Sequence, residues 1–231
     1  MPDPVPVIAI DGPGGAGKGT VCQRIARQLG WHLLDSGSLY RITAYAARVR
    51  GIDLGDSARV AALARALNVR FSEGDDAVSI WLDNSEITNS IRTEKAGDDA
   101  SIVAADPAVR EALIDRQRAF AIPPGLVADG RDMGSVVFPA AALKVFLTAS
   151  VEERARRRYK QLKDKGIDVS LPALSRDMEE RDRRDSERAI APLRACTDAR
   201  VLDSTKLSIQ EVVQLIISWA QEVYAFKPVD S

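Results

Sequence analysis

Gly12-Pro-Gly-Gly-Ala-Gly-Lys-Gly-Thr20 carries the residue types that bind a polyanion, at the spacing such binding needs. Glycines let a backbone turn tightly and approach a ligand where a Cβ would clash. Successive N–H groups, a helix N-terminus and the charge of Lys18 then converge on the same anion. The stretch follows the apolar run Val5-Pro-Val-Ile-Ala-Ile10 and opens an amphipathic segment. Gly12-x4-Gly17-Lys18 therefore reads as a phosphate-binding loop between a strand and a helix, and not as a glycine-rich turn with an incidental lysine. One position departs from the common pattern. Gly19 stands where Ser or Thr usually follows the lysine, and the hydroxyl arrives one place later at Thr20.

The second chemical signature is a surplus of arginines at or just after the predicted ligand crevice. They are Arg41, Arg110, Arg131, Arg154, Arg156, Arg157, Arg158, Arg181 and Arg188. Arginine makes planar two-point contacts to phosphate oxygens and keeps its proton. That number suits two phosphorylated substrates, with catalysis resting on positioning and charge neutralisation. An acceptor that is already a phosphate needs no general base, but water must be kept out, which implies a lid. Between Glu152 and Arg188 there are 12 basic and 10 acidic residues, and residues 151–168 are the expected lid. Arg181, Asp185 and Arg188 fall at i, i+4 and i+7, hence on one face of a helix. Two arginines around a carboxylate suit a phosphate-and-ribose ligand better than a merely solvated, ion-paired face.

Periodicity supplies the elements that would position these groups. Val21, Cys22, Ile25, Ala26 and Leu29 recur at helical spacing and Gly30 offers a cap. Trp31–Leu34 is a short strand, completing a βαβ unit and so predicting a parallel sheet. It ends at Asp35-Ser36-Gly37, with Tyr40 and Arg41 in the first turn of the next helix, and a second helix follows from Ser57. Val69–Phe71, Ala77–Leu82 and Glu86–Ile91 then alternate with period two, around turn signals at Glu73-Gly-Asp-Asp76 and Asp83-Asn-Ser85, which predicts a small antiparallel meander. Asp106-Pro107 opens a helix through Gln117. Gly125–Asp129 is a strand ending in a carboxylate, followed at once by Gly130-Arg131-Asp132-Met133-Gly134. Strands at Leu143–Leu147 and Arg200–Ser204 and a closing helix at Ile209–Tyr224 complete the pattern. The expected division is core at 1–67, 93–150 and 169–231, an inserted β subdomain at 68–92, and the lid at 151–168.

Bulk composition narrows the class. The chain has 231 residues, 45% of them apolar, and its 32 basic and 33 acidic residues nearly cancel. No global field draws it to nucleic acid or membrane. Two cysteines make no disulfide framework, and the lone His32 has no partner cluster, so packing is its expected role. No leader or membrane-length apolar run is visible, which predicts a cytoplasmic protein, expected to be a monomer.

Taken together, the loop with glycine after its lysine resembles the nucleoside monophosphate kinases. Leu33-Leu-Asp-Ser-Gly37 with Tyr40-Arg41, Ala128-Asp-Gly-Arg-Asp-Met-Gly134, Arg181-Asp-Arg-Arg-Asp185 with Arg188, and Leu202-Asp-Ser-Thr205 are similar to the bacterial cytidylate kinases over essentially the whole chain. Gly14 stands where that family commonly has serine, and the Asp-Gly-Phe-Pro-Arg of adenylate kinases is replaced by Asp129-Gly-Arg-Asp132. The resemblance implies an α/β P-loop kinase fold, with a helix-flanked parallel sheet, a small antiparallel insertion and an Arg-rich lid. It implies transfer of phosphate from ATP to CMP and dCMP, with Mg²⁺. The donor would meet Gly12, Pro13, Gly14, Gly15, Ala16, Gly17, Lys18, Gly19 and Thr20, with Arg154, Arg157 and Arg158 from the lid. Ser101, Arg110 and Asp132 would read cytosine. Arg41, Arg131 and Arg188 would hold the acceptor phosphate, with Ser36 at the same edge, while Arg181 and Asp185 would hold the sugar. Lys18, Arg131, Arg158 and Arg188 are the expected catalytic groups. Thr20 and Asp129 would lie near the metal, largely through water. The competing readings are a kinase of UMP, AMP or a metabolite such as shikimate, and a nucleotide-binding regulatory module. The missing Asp-x-Asp after the second strand and the surplus arginines disfavour a shikimate kinase, and the charge balance disfavours a nucleic-acid module.

Overall fold

In the computed structural model, which describes residues 4–73, 78–164, 166–188 and 190–224, the apolar run before the glycine loop is the central strand β1 (Val7–Asp11), buried at all five positions. Such a run carries no polar face, so it can only sit inside a sheet covered on both sides. The sheet has five parallel strands in the order β2-β6-β1-β7-β8, where β2 is His32–Asp35, β6 Leu126–Gly130, β7 Leu143–Thr148 and β8 Arg200–Asp203. The strand sequence 2-6-1-7-8 requires crossovers, and the helices that make them cover the faces.

The chain divides into two compact units, Met1–Asp35 with Arg118–Ser231, and Ser36–Gln117. In the first, helix α1 (Lys18–Leu29) packs Val21, Cys22, Ile25, Ala26 and Leu29 onto the sheet, as its periodicity predicts. The C-terminal helix, Ile209–Tyr224, joins the same core through Val212, Val213, Ile216, Ile217 and Ala220. His32 Nε2 lies at hydrogen-bonding distance, 3.0 Å, from the Pro123 carbonyl. Two further helices, Val151–Asp164 and Leu171–Ser186, pack on one another over a small apolar cluster of Ala155, Leu162 and Leu174. Tyr159, Val169 and Met178 pack partly buried against this cluster, and Arg154 pairs with Asp182 between the two helices.

The second unit contains α2 (Ser36–Val49), α3 (Ser57–Arg65), α4 (Glu94–Ala104) and most of α5 (Pro107–Arg118), with an antiparallel sheet β3-β4-β5 of Val69–Glu73, Val78–Leu82 and Ser85–Glu86. Arg48 and Asp99 tie α2 to α4 through two hydrogen bonds of 3.2 and 2.8 Å.

Two expectations need correction. The third strand of the meander, expected over Glu86–Ile91, stops at Glu86, and Ser90–Arg92 is a 3₁₀ turn. Here the Thr88 hydroxyl accepts the Ile80 N–H at 2.9 Å and takes the place of a backbone carbonyl in the ladder. The helix through Arg181 and Asp185 ends at Ser186, so Arg188 lies beyond it. The Asp185 carbonyl, which residue 189 would need to extend the helix, instead accepts Leu193 N–H at 2.8 Å and Arg188 Nε at 3.1 Å. The turn at residues 74–76, the strand start at Ala77, Lys165 of the expected lid and Ala189 lie outside the described residues. Among the described residues no helix is long and apolar enough to cross a membrane.

Candidate active site

The glycine loop leaves β1 and enters α1 through Gly15 and Gly17, both with positive φ (78° and 92°). A left-handed residue at the helix N-cap turns the following N–H groups towards the outside of the loop, where an anion can meet them. Gly12, also at positive φ, has no room for a side chain, because a Cβ there would lie 2.0 Å from the Leu147 carbonyl oxygen. Lys18 is 5% exposed; its Nζ donates to the Pro13 carbonyl at 3.0 Å and lies 3.8 Å from Asp129 Oδ1. Burial, and then the neighbouring Arg131, push the Lys18 pKa down to about 8. Burial pushes the Asp129 carboxyl up to about 6 against the pull of Lys18. Gly19 faces this carboxylate, and a Cβ there would lie 3.7 Å from Asp129 Oδ2. Thr20 is exposed one residue further along α1. Among the described residues no three His, Cys, Asp or Glu side chains gather into a cage for a metal ion.

Arginines brace the loop from behind and from one side. Arg154 is 3% exposed, donates to the Gly14 and Ala149 carbonyls at 2.9 and 3.0 Å, and pairs with Asp182. It lies beneath the loop and not over open solvent. Arg157 reaches the Ser204 carbonyl at 2.6 Å and the Ser204 hydroxyl at 3.2 Å, and it pairs with Glu153. Arg158 contacts Gln161 on the outer part of the same helix. Ala16, Gly17, Val21, Arg157, Leu207 and Val212 are among the walls of a recess of about 250 Å³ beside the loop.

The adjacent strand end carries the second set of groups. β6 pairs with β1 in parallel, with Asp11 opposite Gly130, so Arg131 and Asp132 emerge beside the glycine loop. Arg131 Nε donates to Asp185 Oδ2 at 2.9 Å. Burial would raise the Asp185 pKa, but Arg131, Arg188 and Arg181 outweigh it and hold the carboxylate below its ordinary range. Asp132 is 3% exposed and precedes a short π-helix, Met133–Val137. Lys18, Arg131, Asp132, Arg181, Asp185 and Arg188 thus belong to one unit.

Ser36, Arg41, Ser101 and Arg110 belong to the other unit. Ser36 is buried at the start of α2, and Arg41 Nη1 donates to the Ile91 carbonyl at 2.8 Å. Arg110 is buried, donates to the Ala104 carbonyl at 3.1 Å and lies 5.8 Å from the centre of the Tyr40 ring. The Ser101 hydroxyl is buried with no hydrogen-bond partner. A buried polar group left unsatisfied costs stability, and one facing a ligand is a common reason for it.

Three supporting residues receive no site role from the sequence, although Asp182 and Ser204 lie within motifs that carry the resemblance. Asp11, Asp182 and Ser204 hold the Met133–Gly134 backbone, Arg154 and Arg157 respectively. Only Asp11, a carboxylate at a strand end directly before the glycine loop, offered a usable signal.

A family model described as cytidylate kinase matches residues 8–222. A cytidylate kinase of Methylococcus capsulatus is 57% identical over 221 residues, covering 96% of this chain and 99% of its own. One from Pseudomonas aeruginosa strain LESB58 is 59% identical over 215 residues, covering 92% and 94%. Among solved structures, a gluconokinase from Sinorhizobium meliloti covers 96% of this chain and 95% of its own, with 16% identity and a TM-score of 0.47. By the family model and by identity above one half along nearly the whole chain, this protein belongs to the cytidylate kinase family.

Proposed function

We propose that the protein transfers the terminal phosphoryl group of ATP to CMP and dCMP, forming CDP and dCDP by direct in-line displacement. The observation that carries the reading is the adjacency of two strand ends. The glycine loop leaves β1, and Arg131-Asp132 leaves the hydrogen-bonded neighbour β6. Two anionic substrates gripped from neighbouring strand ends can be aligned without a covalent enzyme intermediate.

On this reading the loop amides of residues 12–20 and Lys18 hold the donor phosphates. Arg157 and Arg158 close over them, while Arg154 fixes the Gly14 carbonyl from below. The recess beside Gly17 takes the donor base. Arg41, Arg131 and Arg188 hold the acceptor phosphate, near Ser36, and withdraw charge from the peripheral oxygens as the phosphoryl group moves. Arg181 and Asp185 hold the sugar, Asp185 through the 3′-hydroxyl, which admits the deoxy sugar. Asp132 accepts from the cytosine N4 amine, with Ser101 and Arg110 completing the base contact. Uracil presents a carbonyl at that place, so two acceptors would face each other and the wrong base is rejected. Residues 151–168 act as the lid, and the antiparallel insertion at 68–92 belongs to the acceptor side.

The residues present also fit Mg²⁺. The Asp129 carboxylate faces the residue after Lys18, and the Thr20 hydroxyl is exposed nearby, so both can order water around a cation held by the donor phosphates. When bound, the cation neutralises charge on those phosphates. The reading includes a cytoplasmic monomer with small-molecule partners and neither nucleic acid nor membrane. A coupled assay with ATP, Mg²⁺ and CMP, dCMP, UMP or AMP tests it. CMP and dCMP are expected to turn over well ahead of UMP and AMP, and rapid turnover of AMP with none of CMP would sink the proposal.

A further inference from the structure

Asp11 is the last residue of β1 and immediately precedes Gly12, where the phosphate loop begins. Its side chain does not enter that loop. It is buried, at 5% exposure, and turns across to the neighbouring strand end, where one carboxylate oxygen accepts the Met133 N–H at 2.7 Å and the other accepts the Gly134 N–H at 2.9 Å. Met133 opens the π-helix, and the first N–H groups of any helix lack a partner within it. Asp11 supplies that partner twice over, with charge-assisted bonds of the stronger kind.

Those two peptides follow directly on Asp132. The Asp132 carbonyl is captured as well, accepting Val136 N–H at 2.9 Å and Val137 N–H at 3.2 Å. The backbone is therefore fixed at and directly after the residue assigned to the base, one step from the arginine assigned to the acceptor phosphate.

We infer that Asp11 is a positioning residue for the acceptor: its carboxylate sets the backbone that presents Arg131 and Asp132, and ties that backbone to the strand that carries the donor loop. The inference rests on the proposed reading that Arg131 and Asp132 meet CMP. It concerns alignment of two substrates, where a displacement of about 1 Å can cost on the order of a hundredfold in rate. Shape alone cannot replace the carboxylate. Asparagine has one acceptor oxygen, and its amide would set N–H against N–H at the second peptide.

The test is Asp11→Asn, assayed with each substrate varied in turn. kcat/KM for CMP is expected to fall by about ten- to a hundredfold, while the KM for ATP moves less than about twofold, because the donor loop is built from its own backbone amides. Equal losses on both substrates would mean that Asp11 merely supports the fold of β1, and unchanged CMP kinetics would overturn the inference outright. Asp132→Ala, measured alongside, separates this claim from the one beneath it. If Asp132→Ala keeps its CMP preference, the base assignment fails, yet a CMP-specific loss in Asp11→Asn still stands through Arg131. If Asp11→Asn does not fold, hydrogen exchange on the native protein decides. Met133 and Gly134 amides should be protected like those of strand β6, and exchange on the scale of free peptide would refute the clamp.

Discussion

Arg131 Nε and Asp185 Oδ2 are 2.9 Å apart, and the side chains are 20% and 7% exposed. The arginine proposed to hold the acceptor phosphate and the carboxylate proposed to hold the sugar are thus bonded to each other. Neither charge is left to itself in a poorly solvated site, where an isolated ion would be costly. The pair is a pre-set frame: the guanidinium is oriented by Asp185 and keeps further N–H groups for phosphate oxygens.

Removing one partner should therefore hurt stability as well as binding. Asp185→Ala strands a guanidinium and is expected to lower unfolding free energy by about 3 kcal/mol. Asp185→Asn retains an acceptor and is expected to fold, while the KM for CMP rises about tenfold, or ~1.4 kcal/mol. Contact through the 3′-hydroxyl requires the same rise for dCMP. A KM ratio of CMP to dCMP that shifts by more than about threefold on this substitution would point to the 2′-hydroxyl instead.

Base selection should reside mainly in Asp132. A good acceptor contact to the cytosine amine discriminates by about 1–3 kcal/mol, so Asp132→Ala is expected to lower the CMP-to-UMP ratio of kcat/KM by roughly 5- to 150-fold. Its effect on binding of inorganic phosphate or on the KM for ATP should be small. Retention of the native CMP-to-UMP ratio would refute the assigned role.

The readable parts of this site are those where residue type and period agree. A β-branched apolar run, glycines and a lysine could form little but a strand, a tight loop and a helix N-terminus, and β1 and α1 follow. That the sheet is parallel follows from its βαβ crossovers, whereas the strand order 2-6-1-7-8 is set by pairing that local pattern does not carry. Arg188 shows the limit. Spacing put it on one helix face with Arg181 and Asp185, but a side chain and a distant amide compete for the carbonyl that would extend the helix. Thr88 displaces a strand in the same way, by offering a hydroxyl where the ladder needs a carbonyl. Asp11, Asp182 and Ser204 act through contacts with residues 28 to 123 positions away, and local pattern carries no trace of such partners.

Burial of two aspartates beside the phosphate loop has a consequence for pH. Asp11 and Asp129 are each pushed up to about 6, chiefly by burial. The native state then binds protons more tightly than the unfolded chain, whose aspartates titrate near 4. Ionising these groups costs stability in full above pH 6, and the cost lessens as pH falls through 6 towards 4. Lys18, lowered to about 8, is mostly protonated at pH 7.5 and fully so by pH 6, so it adds only a small opposing slope. Asp185, Asp198 and Asp203 are held low and begin to lose their contribution only near pH 4 and below. Lowering pH from 7.5 to 5.5 is therefore expected to stabilise the protein by about 1–2 kcal/mol. Thermal unfolding followed by circular dichroism should show a midpoint higher at pH 5.5 by a few degrees, and a lower one would contradict the assignment.

The glycine loop should tolerate change at one glycine and not at another two residues away. At Gly14 the φ angle is ordinary and an added Cβ would meet nothing closer than an Arg131 Nη at 3.6 Å. Gly14→Ser is expected to leave the unfolding temperature and the KM for ATP within experimental error. Its hydroxyl would lie beside Arg131 and Arg181, groups that can donate to it. Gly12 combines a φ of 152° with a Cβ position 2.0 Å from the Leu147 carbonyl oxygen, a backbone atom that cannot swing aside. Gly12→Ala must push the loop off β7, at a cost of about 1–3 kcal/mol or more, and raise the KM for ATP at least tenfold. Leu147 directly follows Phe146, the last β7 residue paired with β1, and itself pairs with Leu202 of β8, so relaxation by moving the carbonyl would strain β7 where it places the loop. If Gly12→Ala binds ATP normally, the close approach of loop and strand is not what sets the phosphate cradle.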